Sequence, residues 1–333
     1  MGFHFTYPFV TGGSLGVDVF FVLSGWLITA ILVAEFEQCG TVDYKAFVLR
    51  RVRRLLPALA VLLIAMACLI PLFLPEMAHR LWLDLATAAF FVTNLRQTFW
   101  PAETPLSHTW SLAIEEQFYL IWPLVVFLSP RKLLGPVFLV FVALGPLSRM
   151  ILARQFPEVH HAEAITTTAM DYFGIGALLA LALERGMKAG DRRLTLAAWI
   201  AFAGYAVLYT FSEMNQPIAG FCYIQQTLVS VVFAGLISAT LAGFGGIREK
   251  ILEHPAVQHI GRLSFGLYLF HTPVPLFLGH VLPWLWLLTG PWQMLRLGVF
   301  GLTSWGLAWL CWRYLETRTV HPNKHAPLSS PGR

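Results

Sequence analysis

The chain of 333 residues is 57% hydrophobic and only 12% charged, whereas soluble domains carry roughly 25% charged residues. Its formal net charge of +5 does not indicate nucleic-acid binding, because the Lys and Arg residues cluster between apolar blocks. The composition excludes an ordinary soluble domain. Apolar blocks of about twenty residues instead predict an all-α fold, a polytopic membrane helix bundle.

Nine apolar segments are long enough to cross a bilayer. A shorter run at 83–95 is predicted to be a re-entrant or short helix rather than a span. We expect one membrane domain over residues 1–320, followed by a disordered cytoplasmic tail at 321–333. The predicted spans are 15–36, 55–75, 111–128, 133–152, 169–185, 194–211, 222–243, 263–287 and 292–314.

Basic residues between the spans predict the orientation of the chain. Lys and Arg concentrate at 50–54, 130–132, 185–193 and 246–262, and the positive-inside rule places such segments in the cytoplasm. Nine crossings then leave Met1 outside, so we expect that most of a first, inward-starting helix is missing from this sequence.

Ionisable side chains inside a membrane are candidates for function, because each costs about 2.5–3.5 kcal/mol or more to bury there. The candidates here are His4, Asp18, Glu115, Glu116, Asp171 and His271, with Arg51 and Arg54 at an inner mouth. We interpret Asp171 as a helix-start acid beside a close-packed face of small residues. No metal site is predicted, since the VHHAE stretch at 159–163 lacks a metal-binding spacing.

The stretch HTWSLAIEEQFYLIWP at 108–123 contains two adjacent carboxylates. Helical spacing places Ser111, Glu115, Phe118 and Trp122 on one stripe, whereas Glu116 falls about 100° away. Ser107 or Thr109 is predicted to cap the start of this helix. The two acids either take part in chemistry or only orient the helix end, and spacing alone does not decide between these roles.

Two further stretches carry polar groups at helical spacing. Arg51 and Arg54 in RRVRRLLP are i, i+3 neighbours, and guanidinium groups bind phosphate well. Ordinary positive-inside anchoring explains the same pattern. Ser264, Tyr268 and His271 share a face in IGRLSFGLYLFHTPV, with Pro273 predicted to kink the helix. Two interpretations of these three side chains are open: they line a cavity, or they hydrogen-bond between helices.

The order of these motifs resembles the acyltransferase-3 family of integral membrane acyltransferases, which O-acylate bacterial surface glycans and related acceptors. The resemblance covers roughly residues 3–320. It rests on GGSLGVDVFFVLSGWLIT, FVLRRVRRLLPAL, HTWSLAIEEQFYLIWP, MDYFGIGALLA, IGRLSFGLYLFHTPV and WRYLET, in that order.

The resemblance implies a bundle of about ten helices in the bacterial inner membrane. Acyl-CoA, most simply acetyl-CoA, is the expected co-substrate, with no bound cofactor. The expected acceptor is a glycan or lipid-linked saccharide, such as lipopolysaccharide O-antigen or exopolysaccharide. The expected partners are therefore membrane lipid, acyl-CoA and the glycan, and not nucleic acid.

The resemblance also implies roles for individual residues. It makes His4 the catalytic base, by its spacing to Gly12 and Gly13, and Glu115 the acid that supports it. It places the acyl donor near Arg51 and Arg54. The residues expected to support the site are Asp18, Ser111, Ser264, Tyr268 and His271.

Two other interpretations remain open at the level of sequence. The family pattern has an Arg about three turns before the catalytic His, and this sequence does not include that position, which favours a truncated, inactive paralogue. A polytopic transporter that uses His271, Glu115 and Asp171 as a proton path is the other alternative. A transporter would favour inverted repeats, and the sequence shows none.

Overall fold

The computed structural model describes residues 15–100, 104–156, 164–214, 220–243 and 245–316. These residues form α-helices joined by short 3-10 turns, with no β-strand among them. The helices are α1 (Leu15–Cys39), α2 (Tyr44–Phe73), α3 (Leu81–Ala89), α4 (Thr93–Phe99), α5 (Trp110–Leu128), α6 (Leu134–Gln155), α7 (Met170–Glu184), α8 (Arg192–Met214), α9 (Phe221–Leu241), α10 (Gly246–Glu253), α11 (Pro255–Phe270), α12 (Pro273–Val281) and α13 (Gln293–Cys311).

Eight helices within the described residues are long and apolar enough to span a membrane: α1, α2, α5 to α9, and α13 with its flanking turns. Each overlaps one of the nine predicted spans, although α2 begins at Tyr44, well before the predicted start at 55. The chain is therefore a multi-pass membrane protein with an all-α bundle fold, as the sequence predicts. His4 and the predicted tail at 321–333 lie outside the described residues.

The ninth predicted span, 263–287, is not one continuous helix. It is divided between α11, α12 and a 3-10 turn at Pro283–Leu287. Pro273, at the first position of α12, has no N–H to continue the hydrogen-bond ladder of α11. The kink predicted at this proline is therefore a complete break at His271 and Thr272.

The short apolar run at 83–95 is also interrupted, as its length predicts. Phe91 adopts a positive φ of 54° between α3 and α4, and Gln117 Nε2 donates a 2.8 Å hydrogen bond to its carbonyl. The helix that follows is polar and buried: Asn94 is inaccessible, and Arg96 pairs with Asp84 at 2.7 Å. Neither α3 nor α4 is long enough to cross a bilayer.

The chain divides into two compact units. Unit 1 comprises Lys45–Leu81 and the described residues from Pro255 onward, and so contains α2, apart from its first residue Tyr44, and α11 to α13. Unit 2 comprises the described residues up to Tyr44 and Trp82–His254, and so contains α1 and α3 to α10, apart from Leu81 at the start of α3.

Unit 2 is built around α7, which packs on α1 and α6 and also contacts α9. A Cβ at Gly176 would overlap the carbonyl oxygen of Val22 and lie 2.6 Å from the backbone nitrogen of Trp26. A Cβ at Gly25 would overlap the backbone of Phe173. The two helices therefore approach so closely that only glycine fits, as expected for small residues between membrane helices.

In unit 1 the principal helix contact is between α11 and α13. Gly266 lies against Ala308, and a Cβ at Gly266 would be 2.9 Å from the Cα of Ala308. Phe73 of α2 and Phe277 of α12 make an edge-to-face ring contact at 6.4 Å. Small residues and aromatic contacts thus hold this unit together.

Candidate functional site

Unit 2 contains a cavity of about 340 Å³ at one end of its helices, lined by both apolar and polar side chains. The side chains that define its chemistry are Asp18, Trp110, Arg149, Tyr172, Tyr205 and Gln226. They come from the first turns of α1, α5, α7 and α9 and from the later turns of α6 and α8. Its volume lies in the range of about 300–1,000 Å³ that is typical of small-molecule sites.

Asp18 of α1 contributes a carboxylate to this cavity. It lies in the first turn of that helix, where the helix dipole favours a negative charge. Tyr172 of α7 lines the same cavity. The sequence predicts a supporting role for Asp18, and the structure places it where a ligand can reach it.

Arg149 and Asp171 form a buried ion pair in the wall of the cavity, with side-chain exposures of 7% and 0%. Arg149 Nη2 lies 2.6 Å from Asp171 Oδ2, and its Nε donates to the Tyr223 carbonyl at 2.9 Å. Nη1 donates to the Thr168 carbonyl, and Thr227 donates to Asp171 at 2.5 Å. The pair therefore connects α6, α7 and α9.

The structure refines the interpretation of Asp171 and adds a residue that the sequence reasoning missed. Asp171 is a helix-start acid against a close-packed face, as predicted, since a Cβ at Gly145 would lie 2.5 Å from its Oδ1. Its partner Arg149 was not among the predicted site residues. The available signal was an Arg inside the apolar segment LGPLSRMIL, which is rare without a partner.

Glu115 is held by two hydroxyl groups in the interior of unit 2. Ser24 of α1 and Tyr119 of α5 both hydrogen-bond to Glu115 Oε1, and the two hydroxyl oxygens are 2.8 Å apart. Ser111 is buried one turn earlier on the same helix, with Phe118 on the predicted stripe. Helical spacing could have identified Tyr119, four residues after Glu115, but Ser24 is 91 residues away.

The start of α5 differs from the capping that the sequence predicts. The helix begins at Trp110, and the N-cap Thr109 makes no side-chain capping hydrogen bond. Instead, Thr109 Oγ1 donates to the Leu106 carbonyl at 2.8 Å, and Ser107 Oγ accepts from the Thr104 N–H at 3.0 Å. Both hydroxyls stabilise the turn before the helix, because the chain enters α5 through a 3-10 turn.

Arg51 and Arg54 lie on α2 in unit 1. Arg51 is half-buried, with its guanidinium carbon 5.7 Å from the centre of the Phe47 ring, and Arg54 is exposed. The helix continues through Pro57. An exposed guanidinium on a regular helix is accessible to a phosphate, but it equally suits an anchor at the membrane surface.

Tyr268 and His271 contact each other at the break between α11 and α12, with ring centres 5.9 Å apart. His271 Nδ1 lies 2.6 Å from the Tyr268 carbonyl, and Nε2 lies 3.2 Å from Thr272 Oγ1. Ser264 is half-buried one turn before Tyr268. His271 therefore serves a local structural purpose, since it satisfies a carbonyl at the end of α11.

The structure brings together some of the predicted site residues. Glu115 and Ser111 are in unit 2, as is Asp18, whereas the Arg pair and the Ser264–His271 stretch belong to unit 1. The proposed base His4 lies outside the described residues. Among the described residues, no group of three His, Cys, Asp or Glu side chains is placed to hold a metal ion.

Comparison with known proteins finds relatives that share most of this chain. It is 32% identical over 297 residues to the peptidoglycan O-acetyltransferase OatA of Listeria monocytogenes. The matched region covers 82% of this chain and 47% of that protein. It is 31% identical over 306 residues to the O-acetyltransferase OatA of Staphylococcus aureus, covering 83% of this chain and 48% of that protein. A putative peptidoglycan O-acetyltransferase of Bacillus subtilis, YrhL, is 29% identical over 82% of this chain and 46% of its own length.

The chain spans about half the length of these curated relatives. No solved structure matches it. A family model described as an acyltransferase domain matches residues 1–312. Since that match covers nearly the whole chain, the chain belongs to the acyltransferase-3 family of membrane proteins.

Proposed function

We propose that this protein is a membrane O-acetyltransferase that moves an acetyl group from acetyl-CoA to a hydroxyl of a cell-envelope glycan. The observation that carries the proposal is the family match over residues 1–312, with relatives named as O-acetyltransferases. The cavity beside Asp18 supports it, because a small-molecule site combines apolar walls with a few polar groups, and Asp18 and Gln226 provide such groups for glycan hydroxyls.

The proposed reaction is acyl transfer from a thioester to an alcohol. The acceptor oxygen attacks the thioester carbonyl and gives its proton to a base. The C–S bond then breaks, the acetyl group stays on the acceptor oxygen, and the base returns the proton to the sulfur so that CoA leaves as its thiol. Histidine suits the role of base because its ordinary pKa lies near neutrality, and the motif order assigns that role to His4.

Two carboxylates of unit 2 are available to assist the base. Glu115 remains predicted to support His4, yet the partners that the structure describes for its Oε1 are the Ser24 and Tyr119 hydroxyls. Asp18 lines the cavity directly. Asp18 is therefore the stronger candidate to contact the reacting hydroxyl, with Glu115 as a positioning residue deeper in the helix pair.

The proposed donor site rests on Arg51 and Arg54. Their guanidinium groups suit the phosphates of CoA, and their segment is one that the positive-inside rule assigns to the cytoplasm. Acetyl-CoA is a cytoplasmic metabolite, so this placement agrees with a bacterial inner-membrane protein. The substrate is held by contacts with these side chains, and no bound cofactor enters the proposal.

The acceptor is proposed to be a glycan of the cell envelope. Two of the relatives are named for peptidoglycan, which makes peptidoglycan the first acceptor to test. Lipopolysaccharide O-antigen and exopolysaccharide are the alternatives that the family resemblance implies. The reaction is the same for each, because all three present secondary or primary sugar hydroxyls.

Reconstitution of the purified chain in lipid vesicles tests the proposed function. Acetyl-CoA labelled in the acetyl group and soluble peptidoglycan fragments are added, and ester formation is followed by mass spectrometry. We expect transfer that falls about 100-fold or more in His4→Ala, since general-base catalysis contributes about 10²–10⁴. The control is His280→Ala, which removes an exposed His of α12. Full activity of His4→Ala would contradict the mechanism.

A further inference from the structure

The unit 2 cavity has the features of a carbohydrate site. Trp110 and Tyr205 present aromatic surface, and the Phe21 ring contacts the Trp110 ring at 6.4 Å and the Tyr172 ring at 5.8 Å. The C–H faces of pyranose rings pack against such aromatic faces. Among aliphatic side chains, the remaining wall also carries the Asp18 carboxylate and the Gln225 and Gln226 amides, groups that hydrogen-bond to hydroxyls.

Gln226 retains hydrogen-bonding capacity in this wall. Its side chain lines the cavity, and its buried Oε1 has no hydrogen-bond partner among the described residues. A buried acceptor without a partner is unfavourable, because it has lost its hydrogen bonds to water. The terminal torsion of Gln is broad, so the amide can turn toward a hydroxyl of a bound ligand and regain the hydrogen bond.

The charge of the cavity favours a neutral ligand. Arg149 directs its guanidinium at the Asp171 carboxylate and at the Thr168 and Tyr223 carbonyls, so these partners occupy its N–H groups. Its positive charge is therefore compensated inside the wall. Asp18 adds a carboxylate to the same cavity. An anionic ligand would meet this carboxylate, and among the described lining residues the one cation, Arg149, is already paired with Asp171.

The cavity also lies at the end of unit 2 where an acceptor is expected. Arg131 contacts Glu37 and Glu184 at the opposite end of the helices, beside the basic loop at 185–193. The positive-inside rule assigns that basic end to the cytoplasm. The cavity end then faces the extracytoplasmic side.

From these observations we infer that the cavity is the acceptor subsite, and that it binds one uncharged pyranose ring through Gln226, Tyr205 and Asp18. The inference rests on the proposed function. It adds the chemical class of the ligand, a neutral sugar ring, and the side chains that select it.

Equilibrium binding to the purified chain in lipid nanodiscs tests the subsite without requiring catalysis. The probes are a neutral disaccharide of two N-acetylglucosamine units and an acidic disaccharide of glucuronic acid and N-acetylglucosamine. We expect the neutral probe to bind about tenfold more tightly than the acidic one, corresponding to about 1.4 kcal/mol. In Gln226→Leu and in Tyr205→Ala, the neutral probe is expected to bind about tenfold more weakly than in the unchanged chain.

Two further variants make the test specific. Asp18→Asn is expected to reduce the difference in affinity between the neutral and the acidic probe, because it removes the carboxylate that repels the acidic sugar. Thr240→Ala on α9 is the matched control, since its hydroxyl donates only to the Leu236 carbonyl of its own helix. Thermal unfolding of each variant shows that it is folded.

Equal binding of both probes, absence of binding to either, or unchanged affinity in both Gln226→Leu and Tyr205→Ala would overturn the inference. Selective binding without acetyl transfer would refute the proposed function and leave the subsite intact. Acetyl transfer with an unchanged acceptor KM in Gln226→Leu would refute the subsite and leave the proposed function intact.

Discussion

Arg149 and Asp171 show how a charged pair is tolerated within the apolar helices of unit 2. Both side chains are almost inaccessible, and the guanidinium also donates to the Thr168 and Tyr223 carbonyls. An isolated charge in this position would be expensive, whereas a hydrogen-bonded pair offsets much of the desolvation. The pair thus connects three helices and shapes one wall of the cavity.

Asp171→Leu is expected to lower the free energy of unfolding by about 3 kcal/mol, because it leaves Arg149 buried without its counter-charge. Unfolding by denaturant in detergent micelles measures the change. The double variant Arg149→Leu/Asp171→Leu should recover about half of the loss, since both charges are then removed. A double variant no more stable than Asp171→Leu would show that the pair is not the source of the effect.

The polar side chains of unit 2 differ in how well the sequence identifies them. Glu115 and Ser111 follow from helical spacing, and Asp18 follows from its charge in an apolar run. Ser24, the partner of Glu115, does not, because only the packing of α1 on α5 brings residues 91 positions apart into contact. Gln226 gives no sequence signal at all, since an uncharged amide near a helix start is ordinary.

At the scale of elements, the closest helix pair is α1 with α7. Gly25 and Gly176 remove the side chains that would hold the two backbones apart. The small residues of α7 predict such a face, but the sequence does not identify which helix packs against it. Partner choice depends on the complementary glycine of α1, Gly25, which lies 151 positions before Gly176.

Gly176→Ala is expected to destabilise unit 2 by about 1–3 kcal/mol, because the added methyl overlaps the Val22 carbonyl and the backbone must shift. The midpoint of thermal unfolding measures this effect. Gly204→Ala on α8 is the matched control, since a Cβ there meets no atom within 4 Å. An equal shift in both variants would rule out close packing as the cause.

The break between α11 and α12 shows a limit of length-based prediction. The run 263–287 has the apolar content of a span, and Pro273 predicts a kink. Whether a kink becomes a break depends on whether freed carbonyls find partners. His271 supplies one, because its ring contacts the Tyr268 carbonyl at 2.6 Å, and this contact is visible only in the structure.

At the scale of the whole molecule, the polar groups of unit 2 separate to its two ends. The Arg131 contacts with Glu37 and Glu184 lie at one end, and the cavity lies at the other. The Gly190 N–H donates to Ser238 at 2.9 Å, so the loop at 185–193 belongs to the Arg131 end. Composition and the positive-inside rule anticipate this polarity, but the cavity itself depends on tertiary packing.

Two native cysteines report the orientation of unit 2. Cys39 is exposed at the Arg131 end of α1, and Cys222 is exposed at the cavity end of α9. In variants that retain one cysteine each, we expect a membrane-impermeant maleimide to label Cys222 in spheroplasts. Cys39 should react only after permeabilisation. The reverse pattern would contradict the proposed orientation.

The walls of the cavity differ in how freely they can change over evolution. On one side, α1 and α7 meet through glycines that accept no larger side chain. On the other side, α8 is largely exposed and contributes Tyr205, and α9 contributes Gln226. Substitutions that alter acceptor preference can therefore accumulate on α8 and α9 while the α1–α7 pair keeps the fold. Family members that modify different glycans are expected to diverge most at these two helices.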